Sequence, residues 1–397
     1  MIVKVRQQFN KQFSVQKYDA FLNDLNETYH YTIPFRVAET PVFVDKHFAR
    51  KLFASADHII DFIVRPDFRE QMAGALPDHL RVPHETPNSL FIALDYAVCT
   101  EGSYELVPRL IEMQGFPSLF GYQDFLGAKI REHYSLPDSL HYHFGLDSEA
   151  YWKKLRNAIV GKHNPEEVVL LEIDPLKQNT AIDFLITREK LGITLLHLGD
   201  VRVQGRALYY MKDGKEIRIQ RIYNRVIFDE LVQRKDLVTE FHLTEDVDVE
   251  WAGHPNWFFY ISKYTMPFLH DPAVPESRFL HTVDQLPADL ESYVLKPLFS
   301  FSGSGVIFHV TRQDIDRIPM ADRKNFMLQK KVHYEPVVQA PDGLVKAEIR
   351  LLYLWEPGSG RPTLLTNLAR LSRGEMIGVK YNKDKTWVGG TVCFFES

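Results

Sequence analysis

The chain has 397 residues, of which 45% are hydrophobic and 25% charged, an ordinary composition for a globular protein of two or three domains. Its formal net charge is −5 at pH 7, without the basic surplus of nucleic-acid-binding proteins, so no nucleic-acid partner is expected. The two cysteines, Cys99 and Cys393, exclude a disulfide framework and predict a reducing, cytoplasmic location. No apolar run approaches the roughly 20 residues that cross a bilayer, so no membrane partner is expected.

The first part of the chain carries helical signals, and two strands follow them. The segment HFARKLFASADHIIDFI has apolar residues at three- and four-residue spacing, which predicts one amphipathic helix. After a proline-dotted loop, FIALDYAV is strand-like, and ELVPRLIEMQ follows a short turn as a second strand. We place Asp95 at the end of the first strand and both Glu112 and Gln114 on the second.

The middle of the chain, residues 151–245, has the pattern of a compact βαβ domain. The short apolar run VVLLEI is typical of a buried parallel strand, and NTAIDFLITREKLG predicts a helix that ends at Gly192. A second strand, ITLLHL, comes next. The pair Asp213-Gly214 then separates two alternating runs and predicts a hairpin.

The last third of the chain is rich in strands, and its sharpest feature is YVLKPLFSFSGSGVIF. We expect a strand that ends at Lys296-Pro297, a loop over residues 300–305, and another strand from Val306. Small residues let the backbone approach a ligand, successive N–H groups in such a loop bind anions, and the lysine adds a cation. This pattern predicts a phosphate loop. The alternative, a glycine-rich hairpin without a ligand, stays open.

Oxygen-bearing side chains on the two N-terminal strands suggest a metal site. Asp95, Glu112 and Gln114 offer carboxylate and amide oxygens, and Mg²⁺ typically takes one or two carboxylates together with substrate phosphates. The alternative is an acidic residue at a strand end that is solvated or paired with an arginine such as Arg109.

Basic residues of the second half are candidates for binding a triphosphate and a carboxylate, which arginine can clamp with two parallel hydrogen bonds. They are Lys263, Lys296, Lys331, Arg350 and Arg370. Around the serines there is no Gly-x-Ser-x-Gly pattern, and neither cysteine has a companion motif, so covalent catalysis lacks support.

The order of these pieces resembles the circularly permuted ATP-grasp proteins, the group that includes the synthetase part of glutathionylspermidine synthase. FIALDYAV and RLIEMQGFPS look like the family's Asp strand and Glu-x-Asn strand, with Gln114 departing from the family's Asn. YVLKPLFSFSGSGV is similar to its Lys-Pro and glycine-rich phosphate loop, and MLQKKV resembles its adenine-binding hinge strand. The resemblance covers roughly residues 90–397.

The resemblance implies an α/β (α+β) fold, namely a circularly permuted ATP-grasp domain with a smaller βαβ domain like a pre-ATP-grasp domain. Residues 1–150 would form the N-terminal part of the core with the metal-ligand strands. Residues 151–245 would form the smaller domain, and residues 246–397 the ATP-binding lid and the closing strands. A homodimer is expected from the frequency of dimers among soluble proteins.

The resemblance also assigns roles to individual residues. The magnesium ligands would be Asp95, Glu112 and Gln114. Catalysis would fall to Arg350, Arg370 and Lys296, with Arg350 stabilising the transferring phosphoryl group. Glu348, Asn382 and Lys383 would face the cleft. ATP would be bound by Lys263, Lys296, Ser302, Gly303, Ser304, Gly305, Gln329, Lys330, Lys331 and Val332.

The function implied is that of an ATP- and Mg²⁺-dependent carboxylate–amine ligase. Such an enzyme phosphorylates a small-molecule or peptide carboxylate, and an amine then attacks the acyl phosphate. Phosphoryl transfer needs positioning and charge neutralisation more than a covalent nucleophile, which suits the residues above. Two alternatives stay open. One is a kinase-like ATP-grasp phosphotransferase. The other is a non-catalytic nucleotide-binding protein, which stays open because Gln114 replaces the family's Asn in the metal-ligand strand.

Overall fold

The computed structural model describes residues 1–102, 105–299, 305–375, 377, 382 and 384–397. Its α-helices, in chain order, are α1 (Val3–Gln12), α2 (Val15–Thr28), α3 (Lys46–Ile63), α4 (Phe68–Gln71), α5 (Phe120–His133), α6 (Ser148–Ile159), α7 (Ala181–Leu191), α8 (Phe228–Gln233), α9 (Trp257–Tyr260) and α10 (Arg312–Asp316). Across the described part of the chain, no helix is long and apolar enough to cross a membrane.

The strands form several separate sheets. In chain order they are β1 (Val42–Val44), β2 (Phe91–Glu101), β3 (Glu105–Gln114), β4 (Leu140–His141), β5 (Val168–Glu172), β6 (Thr194–His197), β7 (Arg202–Gln204), β8 (Ala207–Lys212), β9 (Lys215–Ile219), β10 (Arg221–Asn224), β11 (Glu250–Ala252), β12 (Ser277–Phe279), β13 (Tyr293–Pro297), β14 (Phe326–Lys330), β15 (Pro336–Ala340), β16 (Gly343–Leu354), β17 (Thr363–Ser372), β18 (Gly389–Thr391) and β19 (Cys393–Glu396). The mixed α/β architecture agrees with the predicted fold class.

The largest sheet joins strands from the two ends of the chain. Its order is β18-β17-β16-β2-β3, all antiparallel, and β15 pairs with β16. Alternate residues of β2 face opposite sides, as the pleat requires. Leu94 and Tyr96 point into the main core, which also contains Ile59 and Ile60 of α3. Asp95 therefore points to the other side of the sheet.

A second sheet, β11-β10-β5-β6, is entirely parallel. The chain passes from β5 through α7 to β6 on one side, and later returns to place β10 on the other side of β5. The carboxyl ends of β5 and β10 therefore flank a topological switch point, the usual position of a ligand crevice in parallel sheets. Phe91 of β2 packs on Tyr223 of β10, with ring centroids 5.5 Å apart, and this contact ties the parallel sheet to the largest one.

Three smaller sheets complete the fold. The order β12-β14-β13 is antiparallel, β7-β8-β9 is a meander, and β19 lies between β1 and β4. In the meander, Asp213 and Gly214 take φ of 49° and 75° between β8 and β9, the backbone of a tight hairpin turn. The hairpin prediction is therefore confirmed.

Most of the predicted elements are present, with local signals that explain their ends. The Asp45 side chain accepts a hydrogen bond from the Phe48 amide and begins α3, while α7 ends at Gly192 with φ of 74°. Two expectations were wrong. Asp95 lies in the middle of β2, which continues to Glu101, and the strand expected from Val306 is a single bridge between Leu295 and Ile307.

The domain boundaries at residues 150 and 245 stay a prediction. The parallel sheet lies largely between them, but β11 is beyond the second boundary and pairs with β10. The largest sheet combines β2 and β3 of the first segment with β15 to β18 of the third.

Candidate functional site

One face of the largest sheet gathers charged side chains from four neighbouring strands. Asp95 on β2 is directly opposite both Glu112 on β3 and Arg350 on β16. Glu348, two residues before Arg350, is opposite Arg370 on β17. Residues directly opposite one another across strands share a face of the sheet, so these five groups form one cluster.

Asp95 is the most buried member of this cluster, with 1% of its side chain exposed. Its two carboxylate oxygens accept from Nε and Nη2 of Arg350, and the second oxygen also accepts from Arg370 Nη2 at 2.8 Å. A carboxylate–guanidinium pair with two parallel hydrogen bonds is strong and fixes the orientation of the arginine. Asp95 thus holds two arginines in place.

Glu112 lies at the edge of the cluster and faces a different set of cations. Its carboxylate is 3.8 Å from Lys263 Nζ and 3.8 Å from Arg350 Nη2, and it accepts from Gln114 Nε2 at 3.1 Å. Burial alone would raise the pKa of Glu112, but Lys263 and the neighbouring cations outweigh burial and lower the pKa to about 2. Glu112 is therefore ionised at neutral pH.

Lys296 on β13 approaches the same carboxylate from the three-stranded sheet. Its Nζ donates to Gln329 Oε1 at 2.6 Å and to the Ile111 carbonyl at 3.2 Å, and the residue is 8% exposed. Burial lowers the pKa of Lys296 to about 8, with Lys263 adding to the shift and Glu112 opposing it. Lys296 is thus a cation that titrates close to physiological pH.

Glu348 and Tyr334 form the far side of the cluster. Arg370 donates to one oxygen of Glu348, and the hydroxyl of Tyr334 donates to the other. Burial raises the pKa of Glu348 although the Arg370 guanidinium lowers it, and the nearby Asp95 charge adds to the rise. Tyr334 was not among the residues predicted from the sequence, since no motif distinguished it.

A cavity of about 650 Å³ opens beside this cluster. Gln114, Arg350 and Arg370 form one wall, and the carboxyl ends of β5 and β10, with Glu172 and Arg225, form another. The cavity therefore lies at the switch point of the parallel sheet. Other lining residues include Pro34, Phe35, Arg36, Ser118, Tyr122, Gln123, Gln178, Asn179, Thr180, Ile227, Glu230, Gly389 and Gly390.

Several polar groups of the cavity wall are suited to a polar ligand. The hydroxyl of Tyr122, Oε1 of Gln123 and Nε of Arg225 are buried and have no hydrogen-bond partner within the described residues. Buried polar atoms are usually paired, and unpaired ones at a cavity indicate a missing ligand or solvent. Burial also raises the pKa of Glu172 to about 8, an effect that Arg225 opposes and Glu230 increases.

A second, smaller cavity adjoins the first. It is lined by Glu112, Lys263, Phe258, Ile261, Ser262, Leu298 and Phe299, and it shares Gln114 and Phe116 with the large cavity. Gln114 and Phe116, which line both cavities, thus mark the passage between them, and Glu112 lies on its small-cavity side. Lys263 begins a 3₁₀ turn that follows α9 and is 8% exposed.

The other predicted ATP-binding residues lie along β14 and the loop after β13. Gln329 is 1% exposed and supports Lys296, while Lys330 Nζ pairs with Asp289 at 2.8 Å. The amides of Lys330 and Lys331 already donate to the carbonyls of Glu276 and Ser292, so these two amides do not face a nucleotide. The expected binding of the base by the backbone from Gln329 to Val332 stays a prediction. Gly305 has φ of 71°, and Ser302, Gly303, Ser304 and Lys383 lie outside the described residues.

The three predicted magnesium ligands do not fit a metal equally well. Both oxygens of Asp95 accept hydrogen bonds from arginines, which leaves fewer lone pairs for a metal than Glu112 has; its role as a ligand stays a prediction. Glu112 and Gln114 face the passage between the cavities, and one carboxylate with one amide oxygen matches the modest protein ligand set of phosphate-bound Mg²⁺. No group of three or more His, Cys, Asp or Glu residues in the described ranges is arranged to hold a metal ion by itself.

Two residues important for the cavity could have been found from the sequence. Glu172 is the polar residue near the end of the apolar run VVLLEI, and Arg225 follows β10. Polar residues at the carboxyl ends of buried parallel strands are a known position for ligand binding. The wall formed by Pro34, Phe35 and Arg36 had no such signal.

Comparison with known proteins supports the fold. No family model matches the chain, and no curated protein matches it by sequence. Among solved structures, the chain is similar to a glutathione synthetase-like effector (GSS30) from Globodera pallida in its apo form. The TM-score is 0.56 at 11% sequence identity, and the match covers 98% of this chain and 97% of that one. The fold of this chain is therefore similar to that of the effector over nearly the whole length of both chains.

Proposed function

We propose that this protein is an ATP-dependent carboxylate–amine ligase that acts through an acyl phosphate, on a circularly permuted ATP-grasp fold. The observation that carries the proposal is the convergence of Lys263, Lys296 and Arg350 on Glu112, at the passage between a narrow and a wide cavity. Several cations around an ionised carboxylate suit the phosphates of a nucleotide.

The phosphates of ATP would lie along Lys263 and Glu112, where the small cavity of about 40 Å³ must widen to admit them, and the wide cavity would take the acceptor. Lys263 and Lys296 would contact the phosphates, and Glu112 with Gln114 would hold Mg²⁺, which neutralises phosphate charge when bound. The adenine would lie toward β14. Strands β2 and β3 precede the lysine strand β13 in the chain, the order expected of a circularly permuted ATP-grasp protein.

The wide cavity supplies what an acceptor requires. Arg350 and Arg370 at one wall would hold its carboxylate, and Glu172 and Arg225 at the other offer charges of both signs to its remaining groups. The amine would enter the same cavity after the acid, because an acyl phosphate must be shielded from water until the amine attacks.

The first test is thermal unfolding of the full chain with and without ATP and Mg²⁺. Ligand at 100 times its dissociation constant stabilises the native state by about 2.7 kcal/mol, which raises the midpoint by several degrees. We expect this increase in the parent and its loss in Lys296→Met. The variant Lys212→Met, which removes an exposed lysine paired with Glu166 on the β8–β9 hairpin, serves as the control and should keep it.

Release of ADP then separates the candidate activities. ADP formation that requires both an acid and an amine supports the ligase, whereas formation with the acid alone supports a kinase-like enzyme. Nucleotide binding without ADP release under any pair of acid and amine supports a non-catalytic binding protein. The absence of any nucleotide-dependent stabilisation contradicts the proposal.

A further inference from the structure

The pairing of Asp95 suggests that this residue has a different task from Glu112. Asp95 is 1% exposed and its two oxygens accept three guanidinium hydrogen bonds, from Arg350 and Arg370. Glu112 is 23% exposed and stands 3.8 Å from its nearest cations. Guanidinium N–H groups thus occupy three of the roughly four lone-pair positions of Asp95, whereas the Glu112 carboxylate accepts a hydrogen bond from Gln114 and keeps more of its positions for a metal.

The arginines that Asp95 holds are aimed at the wide cavity. The second terminal nitrogen of Arg350 donates to Ser118 Oγ at 2.8 Å, and Ser118, Arg350 and Arg370 all line the cavity. Nε of Arg370 is buried and has no hydrogen-bond partner within the described residues. A guanidinium fixed by a carboxylate on one edge presents its other N–H groups in a defined direction.

The charge balance of the cluster also favours an anion. Four cations, Lys263, Lys296, Arg350 and Arg370, face three carboxylates, Asp95, Glu112 and Glu348. A surplus of positive charge next to a cavity attracts an oxyanion.

We propose that Asp95 is a positioning residue and not a metal ligand: it orients Arg350 and Arg370 so that both guanidinium groups clamp the oxyanion of the acceptor in the wide cavity. The ligand class is a carboxylate or phosphate oxyanion. That the wide cavity is the acceptor site rests on the proposed function. The binding of an oxyanion by the two arginines can be tested without turnover.

Two binding measurements on the full chain separate the roles. The first is the dissociation constant of inorganic phosphate in the absence of metal, which is measured by thermal shift at constant ionic strength. The second is the dissociation constant of Mn²⁺, a spectroscopic substitute for Mg²⁺, measured by electron paramagnetic resonance at saturating ADP. The variants are Asp95→Asn, Arg350→Lys and, as the matched control on β3, Glu112→Gln.

We expect Asp95→Asn to weaken phosphate binding by about tenfold or more, since the arginines lose the charge that orients them, and to leave Mn²⁺ binding within about threefold of the parent. Arg350→Lys keeps the positive charge but loses the two parallel donors of the guanidinium group, so it should also weaken phosphate binding and leave Mn²⁺ binding unchanged. If Asp95→Asn does not fold, Arg350→Lys tests the clamp in its place. Glu112→Gln should show the reverse pattern.

Loss of Mn²⁺ binding in Asp95→Asn equal to that in Glu112→Gln would overturn the inference, as would unchanged phosphate binding in both Asp95→Asn and Arg350→Lys. A parent protein that binds phosphate but neither ADP nor Mn²⁺–ADP would contradict the proposed function, and the phosphate measurements would still decide the role of Asp95.

Discussion

The ammonium nitrogen of Lys296 on β13 lies 2.6 Å from the side-chain oxygen of Gln329 on the neighbouring strand β14. This contact holds a buried cation at the passage where nucleotide phosphates are proposed to bind. Because burial lowers the pKa of Lys296 to about 8, Lys296 loses its positive charge as the pH rises through about 8.

Nucleotide affinity should therefore fall as the pH rises above about 8. A Lys296 that has lost its proton no longer attracts phosphate, and the loss approaches tenfold in affinity for each pH unit above the pKa. The measurement is a titration with ATP and Mg²⁺ at several pH values from 6.5 to about 9.5. In Lys296→Arg the cation persists over this range, so its affinity should be flat; an equal decline in the parent and in Lys296→Arg would contradict the assignment.

Glu112→Ala is expected to abolish Mg²⁺-dependent ADP release while the chain stays folded. Glu112 is the exposed carboxylate of the cluster, and Mg²⁺ bound to phosphates requires at least one protein carboxylate. Circular dichroism checks the fold and an ADP-release assay checks turnover. Glu105→Ala on the same strand removes a carboxylate that is 55% exposed and paired with Lys51, and it should leave turnover unchanged. Full activity in Glu112→Ala would disprove the metal assignment.

The unfolding free energy should decrease between pH 5 and pH 8 because of Glu172. Burial raises its pKa to about 8 in the folded chain, against about 4.3 in an unfolded one, so over this interval the folded state holds a proton that the unfolded state has lost. Its contribution to stability is present at low pH and is lost as the pH rises through 8. Urea unfolding at three pH values measures the slope, and Glu172→Gln should remove that part of it. A parent and variant with parallel pH profiles would show that Glu172 is not held protonated.

Two glycines offer a test of the cavity wall. Gly389 and Gly343 have φ of 125° and 133°, so alanine is strained at both, at a cost of about 1–3 kcal/mol. A Cβ at Gly389 would also lie 2.3 Å from the carbonyl oxygen of Arg36, whereas one at Gly343 meets open space.

Gly389→Ala should thus lower the unfolding free energy by clearly more than Gly343→Ala does, and it should displace the segment that carries Arg36. Denaturant unfolding of the two variants gives the difference directly. Equal losses would show that the segment carrying Arg36 moves away from the added methyl group without a measurable decrease in stability.

The sequence predicted the elements that depend on local signals. The helix α3 follows from its apolar spacing, and the turn between β8 and β9 follows from Asp213-Gly214. The charged residues of the cluster were also found, but the contact between Asp95 and Arg350 was not. That pair spans 255 positions, and its register is set by the packing of β2 against β16, which has no signature in either strand alone.

The same reasoning explains why the wide cavity was missed. It is formed by Pro34 to Arg36, by the ends of β5 and β10, and by Gly389 and Gly390, which are far apart in the sequence. The position of Glu172 at the carboxyl end of the buried strand β5 was a usable signal, whereas the unpaired hydroxyl of Tyr122 is recognised only when the wall around it is known.

The central place of β16 in the largest sheet has a consequence during protein synthesis. Residues 91–99 of β2 are all buried, yet the strand that covers one of their edges is completed about 250 residues later. At ribosomal rates of 5–20 residues per second, β2 waits roughly 10 to 50 s as an apolar strand with an open edge. An apolar strand edge left open for this interval favours aggregation, so fragments that stop before residue 343 should aggregate before they can assemble the site.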